Sequence, residues 1–284
     1  MIRPVLVTAD STVDLSPELV QKYGIKMIPL YVTLGDSTYR DGADIDSAKI
    51  FAYYERTGAL PKTAAVTVAD YLEVFRAAGE AGMDVVHINI SSEFSACYQN
   101  ACLAAAEAGN AWPVDSRNLS SGSGHLALMA AELAGMGKSA PMIAEYLGGV
   151  TERVEVSFVV DTLEFLHKGG RCSSVAALGA NLLKLKPCIE VVDGKMVVGR
   201  KYRGAFAKCL SEYVSDKLAG RDDLELNRIF VTHAGCDPKI VADVVKQVKK
   251  LQPFKEVLVT EAGCTVSGHC GPNTLGVLYI RKKK

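Results

Sequence analysis

Short apolar runs ending in small polar residues alternate with longer amphipathic stretches along the first half of the chain. Val5-Leu6-Val7-Thr8 reads as a strand that ends at Asp10-Ser11-Thr12. Ser16-Pro17-Glu18 opens a helix, with Ser16 as N-cap and Pro17 in the first helical position. Residues 26–33 read as a second strand, followed by a turn at Gly35-Asp36-Ser37. Helices are predicted over 47–56 and 69–79, the latter with Tyr71, Leu72 and Phe75 on one face. Residues 84–90 are apolar with little alternation, as in a parallel strand covered on both sides. A helix over 95–108, a strand into Val114-Asp115 and a helix from about Gly124 to Leu133 complete a βαβα rhythm. That rhythm predicts a parallel sheet with helices on both faces.

The second half changes pattern. Strands are predicted at 156–160, 229–233, 257–260 and 275–280, and helices at 176–184, 205–218 and 238–251. Asp193-Gly194 between the apolar runs 189–192 and 195–198 is a strong hairpin signal. A mixed sheet in a second α/β domain follows, with the boundary near Gly148 to Val154, dividing 1–152 from 153–284.

The 284 residues carry 32 basic and 32 acidic side chains, so no nucleic-acid footprint is expected. The basic run 281–284 reads as a frayed tail. No apolar run is long enough to cross a bilayer, and the N-terminus reads as a strand rather than a signal peptide. Eight cysteines without CxxC or zinc spacing point to a reduced, cytoplasmic protein with free thiols and no metal site.

Candidate chemistry gathers at predicted strand ends, where open α/β sheets bind ligands. The clusters are 8–12, 91–95, 115–124 and 267–272, all rich in Ser, Thr and Gly. Ser91, Ser92 and Ser95 precede a helix, whose free N–H groups favour an anion, although each serine alone is most simply an N-cap. His87 and His233 fall inside strands and read as structural, whereas His269 falls in a Gly-rich loop between two strands, a place for a binding group. Lys168-Gly169-Gly170-Arg171 puts a permanent cation after an uncluttered backbone, suited to meeting a carboxylate or phosphate. A dinucleotide fingerprint, a Walker loop, a GxSxG elbow and paired metal-binding histidines are all missing from the sequence.

Five stretches in order complete a resemblance: 8–12 (TADST), 91–99 (SSEFSACYQ), 114–116 (VDS), 163–171 (LEFLHKGGR) and 269–276 (HCGPNTLG). Together they resemble the DegV family over essentially the whole chain. The resemblance implies a two-domain α/β fold, an N-terminal three-layer parallel-sheet domain and a C-terminal two-layer mixed-sheet domain with the ligand between them. It implies a lipid-binding protein without turnover alone, holding one long-chain fatty acid of the palmitate, stearate or oleate class and needing no cofactor. It further implies presentation of the carboxylate to an ATP-dependent fatty acid kinase subunit that makes an acyl phosphate. By motif, Thr63, Ser95, the N–H of Ala96 and His269 correspond to the carboxylate site. Arg171, outside the pocket, and Arg203 correspond to the surface that works with the kinase.

The chain departs from the family pattern in three places. Thr63-Ala64-Ala65-Val66 replaces Thr-Ser-x-Pro, Ser95-Ala96-Cys97 replaces Ser-Gly-Thr, and Cys270 stands where threonine is common. These changes bear on the head-group geometry. The rival reading is a small-molecule phosphotransferase of the dihydroxyacetone kinase-like type, which would need a loop of phosphate contacts or magnesium carboxylates. A third reading is a regulatory partner protein with an empty cleft.

Overall fold

A computed structural model describes residues 2–172 and 185–283. The predicted helix over 176–184 lies outside the described residues. Strands β1 (Val5–Asp10), β2 (Lys26–Ile28), β6 (Asp84–Asn89) and β7 (Ala111–Asp115) form a parallel sheet in the order β2-β1-β6-β7. Three further strands, β3 (Tyr31–Leu34), β4 (Ser37–Arg40) and β5 (Lys62–Ala64), make a small antiparallel sheet in the order β4-β3-β5. The run 26–33 is therefore two strands in two sheets rather than one. Pro29, which has no N–H to give a ladder, stands at the break, and Leu30 N–H bonds to Ser11 Oγ instead.

Helices α1 (Pro17–Tyr23) and α2 (Ser47–Thr57) begin at Ser16 and Asp46, whose side chains accept N–H bonds from the first turn. Helices α3 (Val68–Glu80) and α4 (Cys97–Ala108) pack on one face of the parallel sheet, through Tyr71, Phe75, Ala101 and Ala104. The other face meets α5 (Ser120–Gly135) and α6 (Ala140–Gly148), through Leu126, Leu128, Ile143 and Leu147. The three-layer expectation is met, and α6 is an additional helix.

The second sheet has six strands: β8 (Val154–Val160), β9 (Leu185–Val192), β10 (Lys195–Arg203), β11 (Leu224–Ala234), β12 (Glu256–Glu261) and β13 (Thr274–Arg281). Their order is β10-β9-β8-β13-β11-β12, and only β11 and β12 pair in parallel. Asp193 and Gly194 turn the β9–β10 hairpin with positive φ at both positions, as a two-residue hairpin turn demands. Helices α8 (Phe206–Leu218) and α9 (Pro238–Leu251) cover one face, over Val159, Ile229, Val231 and Val277. Between β8 and β9, helix α7 (Glu164–Gly169) ends on Gly170 in the left-handed region.

Helix α5 lies between the two sheets, touching β1 and β6 on one side and β8, β11 and β13 on the other. Such a helix must be buried all round, and its first turn, Ser120 to Gly124, is buried entirely. The helix begins four residues before the sequence expectation because the Ser-Gly run that reads as a loop is packed. A Cβ on Gly122 would fall 2.4 Å from Val156 Cγ2, so only glycine lets the helix approach β8. His125 joins α5 to the second sheet by donating Nε2–H to Leu278 O at 3.0 Å, and burial lowers its pKa to about 4.

The last helix, α10 (Cys264–Cys270), is where the sequence predicts a Gly-rich loop. Its N-cap is Gly263, which has no side chain to cap the free N–H groups. Two carboxylates from the other end of the chain do so. Asp14 accepts from Gly263 N at 2.9 Å, and Asp41 accepts from Cys264 N at 2.8 Å and Thr265 N at 3.1 Å. Asp14 is also bonded by the Ser120 hydroxyl, and Asp41 by the Ser11 hydroxyl. Asp14 adopts a positive φ of 48°, a region in which Asn and Asp are the favoured non-glycine residues.

Burial outweighs the Ser120 and Gly263 bonds and pushes the Asp14 carboxyl up to about 8 from 3.8. The folded chain therefore holds a proton that the unfolded chain releases near pH 4. Its contribution to stability is present at low pH and declines as pH rises toward 8. Asp14→Asn mimics the protonated side chain. The variant is expected to melt at a higher temperature than the parent at pH 8 and to lose the parent's decline between pH 6.5 and 8. Thermal melts at several pH values check this, and equal slopes would mean that Asp14 is ionised throughout.

Candidate functional site

Four elements distant in sequence converge beyond the carboxyl ends of the parallel strands. Strand β5 contributes Thr63, the turn before α4 contributes Ser95, α10 contributes His269, and the residue after Gly170 contributes Arg171. All four line one cavity of about 40 Å³. The remaining wall is chiefly apolar: Leu30, Ile90, Phe94, Leu119, Met196 and Val266. A second cavity of about 30 Å³ shares Leu119, Val266 and Cys270 with the first. It runs under α10 to Val156, Phe158, Gly276 and Leu278 of the second sheet.

Thr63 Oγ1 and His269 Nε2 are 2.9 Å apart, a hydrogen bond across 206 residues. Position 63 follows from register, since Thr63 pairs with Val32 in the small sheet while Lys62 and Ala64 face solvent. The imidazole is held from behind by α7. A Cβ on Gly169 would lie 2.6 Å from His269 Nδ1, so the first glycine of the Gly-Gly pair is the surface on which the ring rests. Nδ1 is buried and has no hydrogen-bond partner among the described residues. Burial, with the nearby Arg171 charge adding, pushes the His269 pKa down to about 4. The ring is neutral at pH 7 and carries one N–H.

Ser95 is turned toward its own helix. Its hydroxyl donates to Cys97 Sγ at 3.1 Å and accepts from Cys97 N at 3.3 Å. Burial, with the Asp10 charge adding, pushes the Cys97 thiol up to about 12, so it stays protonated. Beyond Cys97 lies a wholly buried polar knot. Asp10 accepts from Tyr71 OH at 2.5 Å, Ile90 N at 2.9 Å and Asn89 Nδ2 at 3.2 Å. His87 Nε2 stands 3.1 Å from Asp10, and His87 Nδ1 stands 2.7 Å from Thr8 Oγ1. The structural role expected of His87 is thereby specified.

The structure brings Thr63, Ser95 and His269 together and gives several expected residues different settings. His269 sits on the last turn of a helix, not in a loop. Arg171, expected outside the pocket, is exposed but lines the cavity at its rim, and donates to Gly169 O at 2.8 Å. Ala96 is exposed and is not part of the cavity wall. Arg203 ends β10 opposite Leu185, is exposed and does not line the cavity. Sequence reading missed Thr265 and Val266, which line the cavity on α10. Their signal was the spacing Thr265–His269 and Val266–Cys270, i and i+4, hidden because the glycines suggested a loop. Among the described residues no group of three or more His, Cys, Asp or Glu side chains could hold a metal ion, and no helix is long and apolar enough to cross a membrane.

Residues 4–282 match the family model described as an uncharacterised protein of the DegV family. A DegV domain-containing protein of Clostridium acetobutylicum is 30% identical over 280 residues, covering 97% of this chain and 98% of that protein. Among solved structures, a fatty acid-binding DegV family protein from Thermus thermophilus superposes with a TM-score of 0.89 at 32% identity, covering 99% of this chain and 100% of that one. A stearic acid-binding protein from Eubacterium ventriosum superposes with a TM-score of 0.84 at 26% identity, covering 99% of each chain. The match in sequence over nearly the whole chain, and in fold with both sheets included, shows that this chain belongs to the DegV family.

Proposed function

We propose that this protein binds one long-chain fatty acid, with its carboxylate at Thr63, Ser95, the Ala96 N–H and His269. The observation that carries the reading is the Thr63–His269 hydrogen bond in a cavity whose remaining wall is chiefly apolar. A carboxylate leaving water must regain hydrogen bonds, and two hydroxyls and an imidazole N–H supply charge-assisted ones. The second cavity, reached past Leu119, Val266 and Cys270, extends the apolar path for the tail. The fatty acids held by the Thermus and Eubacterium relatives support the same ligand class here, palmitate, stearate or oleate.

The energetics favour a tail-driven complex. At ~0.8 kcal/mol per buried methylene, a sixteen-carbon chain yields about 11 kcal/mol gross, from which ordering costs of several kcal/mol are subtracted. The two cavities, about 40 and 30 Å³, are much smaller than a ligand pocket of roughly 300 Å³ or more. Entry of the tail therefore requires α10 and the side chains beneath it to move apart from α5 and β8. The division into domains 1–152 and 153–284 is part of the same proposal, because it puts Thr63 and His269 on opposite sides of the opening.

The protein has no turnover alone in this reading and presents the carboxylate to an ATP-dependent kinase subunit in the cytoplasm. Eight free cysteines, seven of them buried, suit a reducing compartment. Arg171, exposed at the cavity rim, and Arg203, exposed at the end of β10, supply the cationic surface for that encounter.

Three outcomes are expected. The protein purified from a bacterial host carries one fatty acid per chain, seen by native mass spectrometry and identified by extraction and gas chromatography. Finding neither a bound acyl chain nor uptake of added palmitate would remove the central claim. His269→Ala, which deletes a donor, and Gly169→Ala, which drives a methyl into the ring, each lower fatty acid affinity roughly 5- to 150-fold, equivalent to about 1–3 kcal/mol. A fluorescent fatty acid titration measures this, and unchanged affinity in both would place the carboxylate elsewhere. Arg171→Ala retains bound fatty acid and loses most acyl phosphate formation in a coupled assay with the kinase. Loss of the fatty acid on purification would instead make Arg171 a head-group residue.

A further inference from the structure

Resting on the fatty acid reading of this cavity, we infer that Thr265 is a further head-group residue, whose hydroxyl donates to the ligand carboxylate beside Thr63 and His269. Thr265 is 6% exposed, lines the same cavity, and its Oγ1 is buried with no hydrogen-bond partner among the described residues. Buried hydroxyls are seldom left so, and each exception calls for a reason.

The usual internal partners are closed to this side chain. A helical threonine commonly returns its hydroxyl to the carbonyl three or four residues earlier. Thr265 is the second residue of α10, so residue 261 belongs to β12 and not to the helix. The carbonyl of Ala262, three residues back, already accepts from Ser267 Oγ at 2.9 Å. Asp41 holds the backbone of Thr265 at 3.1 Å, and its two oxygens also serve Cys264 N and Ser11 Oγ. The main chain at Thr265 is thus fixed while its hydroxyl remains available to the cavity.

Helical spacing supplies the second half of the case. Residues i and i+4 stand on one face of a helix, so Thr265 and His269 present their polar atoms to the same cavity one turn apart. The two nitrogens of His269 face different ways. Nδ1 rests on Gly169, and Nε2 meets Thr63. Across the cavity from Ser95, the polar atoms presented to a ligand carboxylate are therefore Nε2, Thr63 Oγ1 and Thr265 Oγ1. The Ser95 hydroxyl must leave the Cys97 thiol to join them, whereas Thr265 on α10 adds a donor that gives up no bond. A carboxylate has about four lone-pair sites and can accept from all three groups.

The test compares palmitate binding to the full-length chain and to Thr265→Val, Thr265→Ser and Thr63→Val, with melting temperatures recorded for each. Valine keeps the shape of threonine and removes the hydroxyl. Thr265→Val is expected to fold like the parent and lose roughly ten- to a hundredfold in palmitate affinity, as Thr63→Val does, while Thr265→Ser retains affinity within a few-fold. Serine keeps a hydroxyl, so it also tests the idea if the valine variant fails to fold. Parent-like affinity in Thr265→Val beside a loss in Thr63→Val overturns the assignment and leaves the fatty acid reading intact. Tighter binding by Thr265→Val, or a Thr265→Ser as weak as the valine variant, likewise overturns it. A parent chain that binds no palmitate overturns the fatty acid reading itself, and this inference with it.

Discussion

The capping of α10 by Asp14 and Asp41 is the constraint on which the site depends. A helix beginning at a bare glycine leaves its first N–H groups without partners, and here Cys264 and Thr265 are buried and Gly263 half-buried. The two carboxylates are 249 and 223 residues away from the groups they cap. Because both come from the first 41 residues, the helix that bears His269 is positioned by the part of the chain that also builds Thr63 and Ser95. Helix dipole and hydrogen bonding act in the same sense, since negative charge is favoured at this end. Asp41 carries two backbone bonds to the helix. Asp14, which burial keeps protonated up to about pH 8, gives the helix one backbone bond and is held to α5 by Ser120.

The arrangement also explains why His269 is neutral. Its ring is wedged between Gly169 and Thr63 with Arg171 nearby, and among the described residues no carboxylate accompanies it. A cationic imidazole would pay for desolvation without a counter-charge, so the proton leaves. A neutral ring donates or accepts a hydrogen bond according to its tautomer and can exchange a threonine hydroxyl for a carboxylate oxygen without a change in charge.

Much of the fold was legible in the sequence because its signals were local. The βα alternation, the Ser16-Pro17 helix start and the Asp193-Gly194 hairpin each rest on neighbouring residues. The failures share one cause. Gly and Ser runs at 120–124 and 267–268 read as loops, whereas they are helical turns whose small side chains admit a neighbouring strand or loop. At Pro29, a continuous apolar run concealed a change of sheet. Of the site, Thr63, Ser95 and His269 were named through the family motifs, and their meeting in one cavity could not be read from spacing. Asp14 and Asp41 were invisible, since a cap supplied from another part of the chain leaves no pattern around the helix it caps.

The departures from the family pattern now have a common physical sense. Ala96 is exposed and does not line the cavity, so its extra methyl does not crowd it. Cys97 is buried between Ser95 and Tyr71, where its thiol takes the Ser95 hydrogen and continues the chain of polar contacts toward Asp10. Sulfur is a weak acceptor, so the Ser95–Cys97 bond is one that a carboxylate can displace. A protein with Thr at that position would offer a stronger local partner or a second hydroxyl to the ligand. Here that side of the site is quieter, and the unsatisfied hydroxyl lies across the cavity on α10, at Thr265. The polar atom of the cavity wall that lacks a partner among the described residues is thus carried by the helix that Asp14 and Asp41 hold in place, not by the α4 turn.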